Sequence, residues 1–398
     1  MKAYLNIFLS VFIGLTLIFI PVTWNIFPFH SEITSFVFGS LIKHIAIVTN
    51  TEMILFDFSS DSKGLYFLVS FAIILSIVIT PFLLRFVKII HLEKFKSVIT
   101  IIATYYLAII LLKYGFDKVF KAQFYLPEPN ILYTPFGKLD KDILFWSTMG
   151  TSYSYNLFMG FMEIIPAILI LFKRTRQIGL LVSLGVLINV FAINLSFDIS
   201  VKLFSGFLII LNLYLLIPTL KTMWNLFVLK KESIFIEQMD FSIAKSTEII
   251  LKSILICILI LESLFPYLNS GNFNDDFAKR PFLHGAYEVQ EFTENGKKLD
   301  CYSTQLKRIF IHRDGYIIFQ NQQDEMTDYK LDINQIKNSF ILTDYGLNKI
   351  KMNYTYSKKD SLLIICYNTN GVTTTLKTKT INWQKLPALQ KQFHWMVD

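Results

Sequence analysis

The chain has 398 residues, 53% of them hydrophobic and 17% charged, with a formal net charge of +8. A composition this apolar excludes an ordinary soluble globular domain and places the chain among membrane proteins. The positive balance does not indicate a nucleic-acid partner, because Lys and Arg are spread through short connections between apolar runs, where they report topology.

Seven apolar runs of roughly 18 to 25 residues have the length a helix needs to cross a hydrocarbon core about 30 Å thick. They lie near 4–25, 65–86, 98–119, 155–173, 177–197, 201–220 and 249–267. The first run exceeds the apolar core of a signal peptide, and no small-residue cleavage site follows "FIPVTWNIF", so it is expected to remain as a helix. With the second run it forms an N-terminal pair over 1–92, joined by an outer segment, "HSEITSFVFGSLIKHIAIV", that suits a helix lying along the membrane surface.

Basic residues orient the runs. Arg85, Lys88, Lys94 and Lys96 follow the second run, Lys173, Arg174 and Arg176 the fourth, and Lys221, Lys230, Lys231 and Lys245 the sixth. The alternating connections hold Glu32, Glu52, Asp57 and Asp61 against Lys43 and Lys63, and then "LSFDIS" with Asp198 alone. The positive-inside rule therefore predicts a bacterial inner-membrane protein with a cytoplasmic N-terminus and a periplasmic C-terminal domain.

A four-helix unit over 93–220 carries the polar groups. The third run, "TYYLAIILLKYGFDKVFKAQF", places Lys113 and Asp117 on one helix face, with Tyr114 and Lys118 on the adjacent face. A long connection, "AQFYLPEPNILYTPFGKLDKDILFW", follows and is expected to form an ordered cap at the membrane interface. The fourth run, "YNLFMGFMEIIPAILILF", contains Glu163, Gly160 one turn before it and Pro166 after it. An ionisable group in a membrane helix costs about 2.5 to 3.5 kcal/mol, so Glu163 should face protein or water and have a partner. Gly160 allows a neighbouring helix to approach, and Pro166 removes a backbone donor, which either kinks the helix for packing or frees a carbonyl to serve as a ligand. The fifth run adds Asn189 and Asn194 before Asp198, and Lys202 opens the sixth. Alternating topology predicts one polar cavity, open to the outside, with Glu163 near its floor. Two readings of Glu163 stand together: a group that exchanges protons or anchors a polar ligand, and an internal ion pair or hydrogen bond that fixes helix packing.

Residues 221–270 make a cytoplasmic connection and the seventh helix. After "NSGNFNDDFAKRP" the pattern changes to short alternating runs, "AYEVQEF", "KRIFIHRD", "YIIFQ", "KIKMNYTYS", "LLIICYN" and "VTTTLKTKT", separated by "ENGK", "DG", "SKKD" and "NTNG". This is antiparallel strand and hairpin chemistry. About eight strands in residues 271–398 predict a small barrel or sandwich. An exported tail also permits a Cys301–Cys366 disulfide, with two buried thiols as the alternative.

Several chemistries have no residues to perform them. No pair of His lies deep in neighbouring helices for a b-type haem, His284, His312 and His394 lack ligand spacing, and there is no CxxC, HExxH, glycine-rich phosphate loop or G-x-S-x-G. His394 beside Trp395 is read as closing the barrel. No metal site is expected, and any redox work would pass through a lipid quinone or a partner protein.

Residues 97–220 resemble the DoxX family of small bacterial four-helix membrane proteins. The resemblance rests on "YGFDKVF", "MGTSYSYNLFMGFMEIIPAILILFKRTRQIG" and "NVFAINLSFDISVKLFSGFLI", which give Gly-x-x-Lys, Gly-x-x-Glu, a basic turn and an Asn-containing helix in that order. It implies Gly115, Lys118, Gly160, Glu163, Asn189, Asn194, Asp198 and Lys202 as site positions. Members of the family are similar to a subunit of a thiosulfate to quinone oxidoreductase and to membrane partners of superoxide-detoxifying and thiol-handling proteins. The two leading helices, the seventh helix and the β domain depart from the minimal family. The tail, from "LHGAYEVQEF" to "LPALQKQFHWMVD", loosely resembles a lipocalin-like barrel.

The expectation is an α-helical polytopic membrane bundle of about seven helices with a DoxX-like core, followed by a small all-β domain. Its expected function is service to a redox or oxidative-stress complex. A quinone head group would be held by Lys118, Lys202, Asn189, Asn194, Asp198 and Tyr114, with Glu163 relaying a proton. The alternative is a non-enzymatic anchor whose β domain binds a partner or lipid. A small-solute transporter is a third class, for which the inverted repeats and broken helices are missing.

Overall fold

Pro21 decides where the first helix stops. It disfavours the helical turn before it, and α1 (Lys2–Phe19) ends there, shorter than the expected run to residue 25. The computed structural model describes residues 2–26, 28–48, 60–232, 245–299, 306–369, 371–390 and 395–396, so Glu52, Asp57, Cys301 and His394 lie outside the described residues. Two compact units emerge, one of residues 1–123 with 154–274 and the other of 124–153 with 275–398.

The first unit is helical. After α1 come α2 (His30–Val48), α3 (Lys63–Phe86), α4 (Ile89–Val119), α7 (Tyr153–Leu171), α8 (Arg176–Ser196), α9 (Lys202–Phe227) and α10 (Lys245–Ser270). Among the described residues, six helical segments are long and apolar enough to cross a membrane: 63–86, 89–119, 153–171, 176–196, 202–220 and 246–277. The chain is therefore a multi-pass membrane protein, and the shorter α1 occupies the first expected run. The segment expected to lie along the membrane surface forms α2, a helix of 19 residues.

Side-chain pairings fix the helix directions. Gly14 meets Ile99 and the Thr23 carbonyl accepts from Lys113, so α1 and α4 run parallel. Antiparallel α8 and α9 are tied by Gln177–Thr219 at 2.9 Å, Ser183–Asn212 at 2.7 Å and Asn194–Ser205 at 3.0 Å. Thr100 meets the Tyr214 hydroxyl while Tyr106 lies edge-on to Phe207, setting α4 against α9. Ile20 clusters with Leu65 and Leu68, and Ile7 with Ile79 and Leu83, so α3 runs against α1. Thus α1, α4, α8 and α10 point one way and α3, α7 and α9 the other, the alternation that successive crossings demand. Buried Ala103, Leu107, Ile109 and Leu112 put α4 at the centre. The outer faces of α3 and α10 leave Ile74, Val78, Ile250 and Ile254 exposed, the apolar surface a bilayer covers.

The second unit is a closed antiparallel barrel. Its strands are β1 (Gly285–Glu294), β2 (Lys297–Leu299), β3 (Leu306–Ile311), β4 (Tyr316–Asn321), β5 (Met326–Asn334), β6 (Ser339–Thr343), β7 (Lys349–Ser357), β8 (Leu362–Thr369) and β9 (Val372–Ile381). Neighbours pair in sequence order from β3 to β9, and β1 bonds β3 on one edge and β9 on the other, closing eight strands. β2 extends the β3 edge of β1 through the hairpin at Asn295–Gly296, where φ values of 48° and 78° suit Asn and Gly. Strand alternation sends Tyr287, Val289, Ile309, Ile311, Phe340, Leu363 and Leu376 into one packed core, so side chains fill the interior. Closure comes from the β1–β9 ladder, and His394, expected to close the barrel, lies outside the described residues.

Residues 124–153, expected within the 93–220 four-helix unit, cluster with this unit. They hold α5 (Pro129–Leu132) and α6 (Lys141–Thr151). Outward-facing Ala286, Phe310 and Ile318 form an apolar patch that Tyr133 covers. The Tyr133 ring stacks on Phe310 at 5.9 Å and lies 4.6 Å from the Arg308 guanidinium, while Gln320 donates to the Tyr133 carbonyl at 3.0 Å. Tyr133 of the expected interface cap thus packs on β3 and β4.

Candidate functional site

Two faces of α4 carry polar side chains, each toward a different helix. Gly115 and Gly160 bring α4 and α7 together: a Cβ on Gly115 would lie 3.0 Å from the Gly160 carbonyl, and one on Gly160 would lie 2.7 Å from the Gly115 carbonyl. At that crossing Lys118 Nζ donates to both Glu163 oxygens, at 3.0 and 2.8 Å, with both side chains 5% exposed. Lys118 also lies 5.6 Å from the Tyr114 ring centroid. A membrane helix can carry a carboxylate at this depth because its charge is matched by a bidentate ammonium in a site closed by two glycines.

The 113/117 face meets α10. Lys113 donates to the Thr23 carbonyl at 2.6 Å and to Glu262 at 3.3 Å. Glu262 also accepts from the backbone N–H groups of Asn25 and Ile26 at 2.6 and 2.9 Å, which fixes the connection after α1. The Tyr267 hydroxyl donates to Asp117. Lys113 and Asp117, neighbours by helical spacing, thus each take a partner from α10.

A cavity of about 250 Å³ opens beside this face. Lys113, Tyr114, Asp117 and Asp61 supply its polar wall, while Ile110, Val22 and Phe204 supply apolar wall. Asp61 accepts from the first N–H groups of α9, Lys202 and Leu203, at 2.8 and 2.9 Å. A carboxylate at a helix N-terminus satisfies otherwise orphaned donors.

The expected constellation is divided among several places. Tyr114 lines the cavity, whereas Glu163 and Lys118 form the buried pair outside its wall. Asn194 is buried and donates to Ser205, holding α8 to α9. Asn189 is exposed on α8. Asp198, at φ 54°, pairs with Lys202 at 2.7 Å in the turn between α8 and α9. The single cavity with Glu163 at its floor is corrected accordingly: α4 turns Lys118 toward α7 and Lys113 toward α10. Pro166 lies within α7, and its carbonyl faces Gly179, where a Cβ would come within 2.8 Å. Thr175 and Arg176 donate to the Leu169 and Ile170 carbonyls at 2.8 and 3.0 Å, so part of the basic turn caps α7.

Sequence reasoning missed a second cluster, in the barrel unit. Glu128, 3% exposed, accepts from His284 Nε2 at 2.8 Å and from Arg313 Nε at 2.5 Å. Arg313 continues to Asp275 at 2.6 Å, and Arg280 meets the same carboxylate at 3.0 Å. Burial pushes the Glu128 carboxyl up, but the His284 hydrogen bond and the Arg313 charge outweigh it and hold the group at about 2. Burial lowers the His312 pKa, against the pull of nearby Glu128. The sequence signal was an acid between two prolines, "PEP", in an apolar connection, with its partners more than 150 residues away. Cys366 Sγ lies 3.5 Å from the Thr375 hydroxyl. Among the described residues no group of His, Cys, Asp and Glu is arranged to hold a metal ion.

No family model matches the chain, and no solved structure matches it. The uncharacterized protein YwoB of Bacillus subtilis (strain 168) is 36% identical to it over 111 residues, which span 28% of this chain and 70% of YwoB. On that coverage, this chain belongs to the family of YwoB.

Proposed function

We propose that the chain is a DoxX-type inner-membrane protein serving a redox or oxidative-stress complex, and that its helical unit holds a quinone head group in the cavity beside α4. The observation that carries this reading is the wall chemistry: an ammonium, a carboxylate bonded to a phenol, and apolar side chains around about 250 Å³. In such a site Lys113 holds a carbonyl oxygen, and the Asp117–Tyr267 pair exchanges the proton that a changing carbonyl requires. Glu163 serves differently from the expected relay. Its carboxylate is committed to Lys118 and sets the spacing of α4 and α7.

Trp24 lies 5.5 Å from Lys113 and offers a reporter. A short-chain quinone titrated into the full chain in nanodiscs should quench Trp fluorescence saturably. Lys113→Ala and Asp117→Asn should each weaken binding by about tenfold, near 1.4 kcal/mol. Solvent extraction of purified protein should yield quinone by ultraviolet absorbance. Absence of both extracted quinone and saturable quenching would refute the reading.

A second reading, a membrane anchor presenting the barrel to a partner or lipid, is favoured by residues 124–153, which build the barrel unit into the chain between two membrane helices. On this reading, residues 272–398 expressed alone bind the partner only when 124–153 are supplied as well. Full binding by the tail alone would count against it.

A further inference from the structure

The barrel unit carries a cleft of about 610 Å³ where β1 begins and β9 ends. Its wall includes Arg280, His284, Ser361, Asn382, Trp383 and Gln384, with Thr380 and Asp276 beside them. Glu128 is not part of that wall. The His284 ring is held from behind it through Nε2, which donates to Glu128 at 2.8 Å. Trp383 packs on the Ala286–Phe310–Ile318 patch, lies edge-on to His284 at 6.1 Å and also faces the cleft.

The charges around the cleft are already balanced. Arg280 is bound to Asp275, and Arg313 bridges Asp275 and Glu128, while Asp276 also lines the wall. Among the described residues, the two arginines near the cleft thus already have carboxylate partners, which leaves a free anion little to gain there. What remains is a set of amides and hydroxyls that both donate and accept, next to an indole. That combination suits a ligand with many hydroxyl groups and an apolar ring face.

We propose that this cleft binds a saccharide unit, with Trp383 as the platform for the sugar ring and Asn382, Gln384 and Thr380 hydrogen-bonding its hydroxyls. The barrel interior is packed with side chains, so the ligand sits at the rim. The volume accommodates one or two rings. A free glycan and a glycolipid head group share this chemistry, the hydroxyl-rich ring.

The test uses the full chain in phosphatidylcholine nanodiscs, free of sugar-based detergent. Maltose and chitobiose are titrated with Trp fluorescence and saturation-transfer NMR as readouts. In a second arm, vesicles with and without a glucosyl lipid are added. Saturable binding in about the millimolar range is expected for at least one probe, weakened about tenfold by Trp383→Ala and about threefold by Asn382→Ala. Lys113→Ala should leave it unchanged, which separates this site from the helical cavity. Binding in the sugar arm alone identifies a free glycan, and binding in the vesicle arm alone a glycolipid. If Trp383→Ala fails to fold, Asn382→Ala and Gln384→Ala, at exposed positions, decide. No saturation by any probe, affinities unchanged in these variants, or saturation by inorganic phosphate instead would overturn the proposal.

Discussion

Replacing one partner of the Lys118–Glu163 pair tests whether that carboxylate is structural. At 2.8 Å and an effective dielectric of about 20, two unit charges attract by about 6 kcal/mol. Desolvation costs several kcal/mol per ion, so the net value of the pair is small. A single loss is different, because it leaves the other charge buried at 5% exposure without its partner. Lys118→Met or Glu163→Met should each destabilise by about 3–5 kcal/mol, whereas the double variant should fall within about 1 kcal/mol of the parent chain. Equilibrium unfolding in bicelles by steric trapping or added detergent measures all three. Single costs below about 1 kcal/mol, or a double cost equal to their sum, would refute the packing role and return Glu163 to the candidates for proton transfer.

The remaining predictions concern the barrel unit. A Glu128 carboxyl held at about 2 when folded, against an ordinary 4.5, contributes stability that is complete above about 4.5 and is lost as the pH falls toward 2. That contribution is on the order of 3 kcal/mol, so Glu128→Gln should lower stability at neutral pH by this amount and flatten the acid limb of near-UV unfolding curves. At Gly150, a Cβ would lie 2.2 Å from the Tyr125 carbonyl and 3.2 Å from Pro127. Gly150→Ala should therefore destabilise the unit by about 1–3 kcal/mol and raise hydrogen exchange across 124–140; an unchanged exchange pattern would contradict that packing.

Much of the fold was legible because burial and backbone period leave separate traces. The helical runs were long enough to stand out from length and hydropathy alone, and the basic turns gave their alternation. Strands β7, β8 and β9 follow the quoted runs closely, since "SKKD" and the "NTNG" region mark the turns between them. β5, "MTDYKLDIN", was not singled out because its Asp and Lys residues blur the alternation, and β6, "SFILT", is only five residues long. The candidate site was harder to read. Helical spacing placed Lys113 with Asp117, but it could not show that α10 would supply Glu262 and Tyr267. Nor could any local pattern join Glu128 to His284 and Arg313, whose contacts depend on the chain returning to the same unit.

That return also governs how the protein can be made. Residues 124–153 leave the ribosome while their docking partners, β1, β3 and β4, are still unsynthesised. At roughly 5–20 residues per second the delay lasts on the order of ten seconds or more, during which Tyr133 and its neighbours have no barrel to cover. Assembly of this unit is therefore necessarily post-helical: membrane insertion of α7 through α10 comes before its last surface can close.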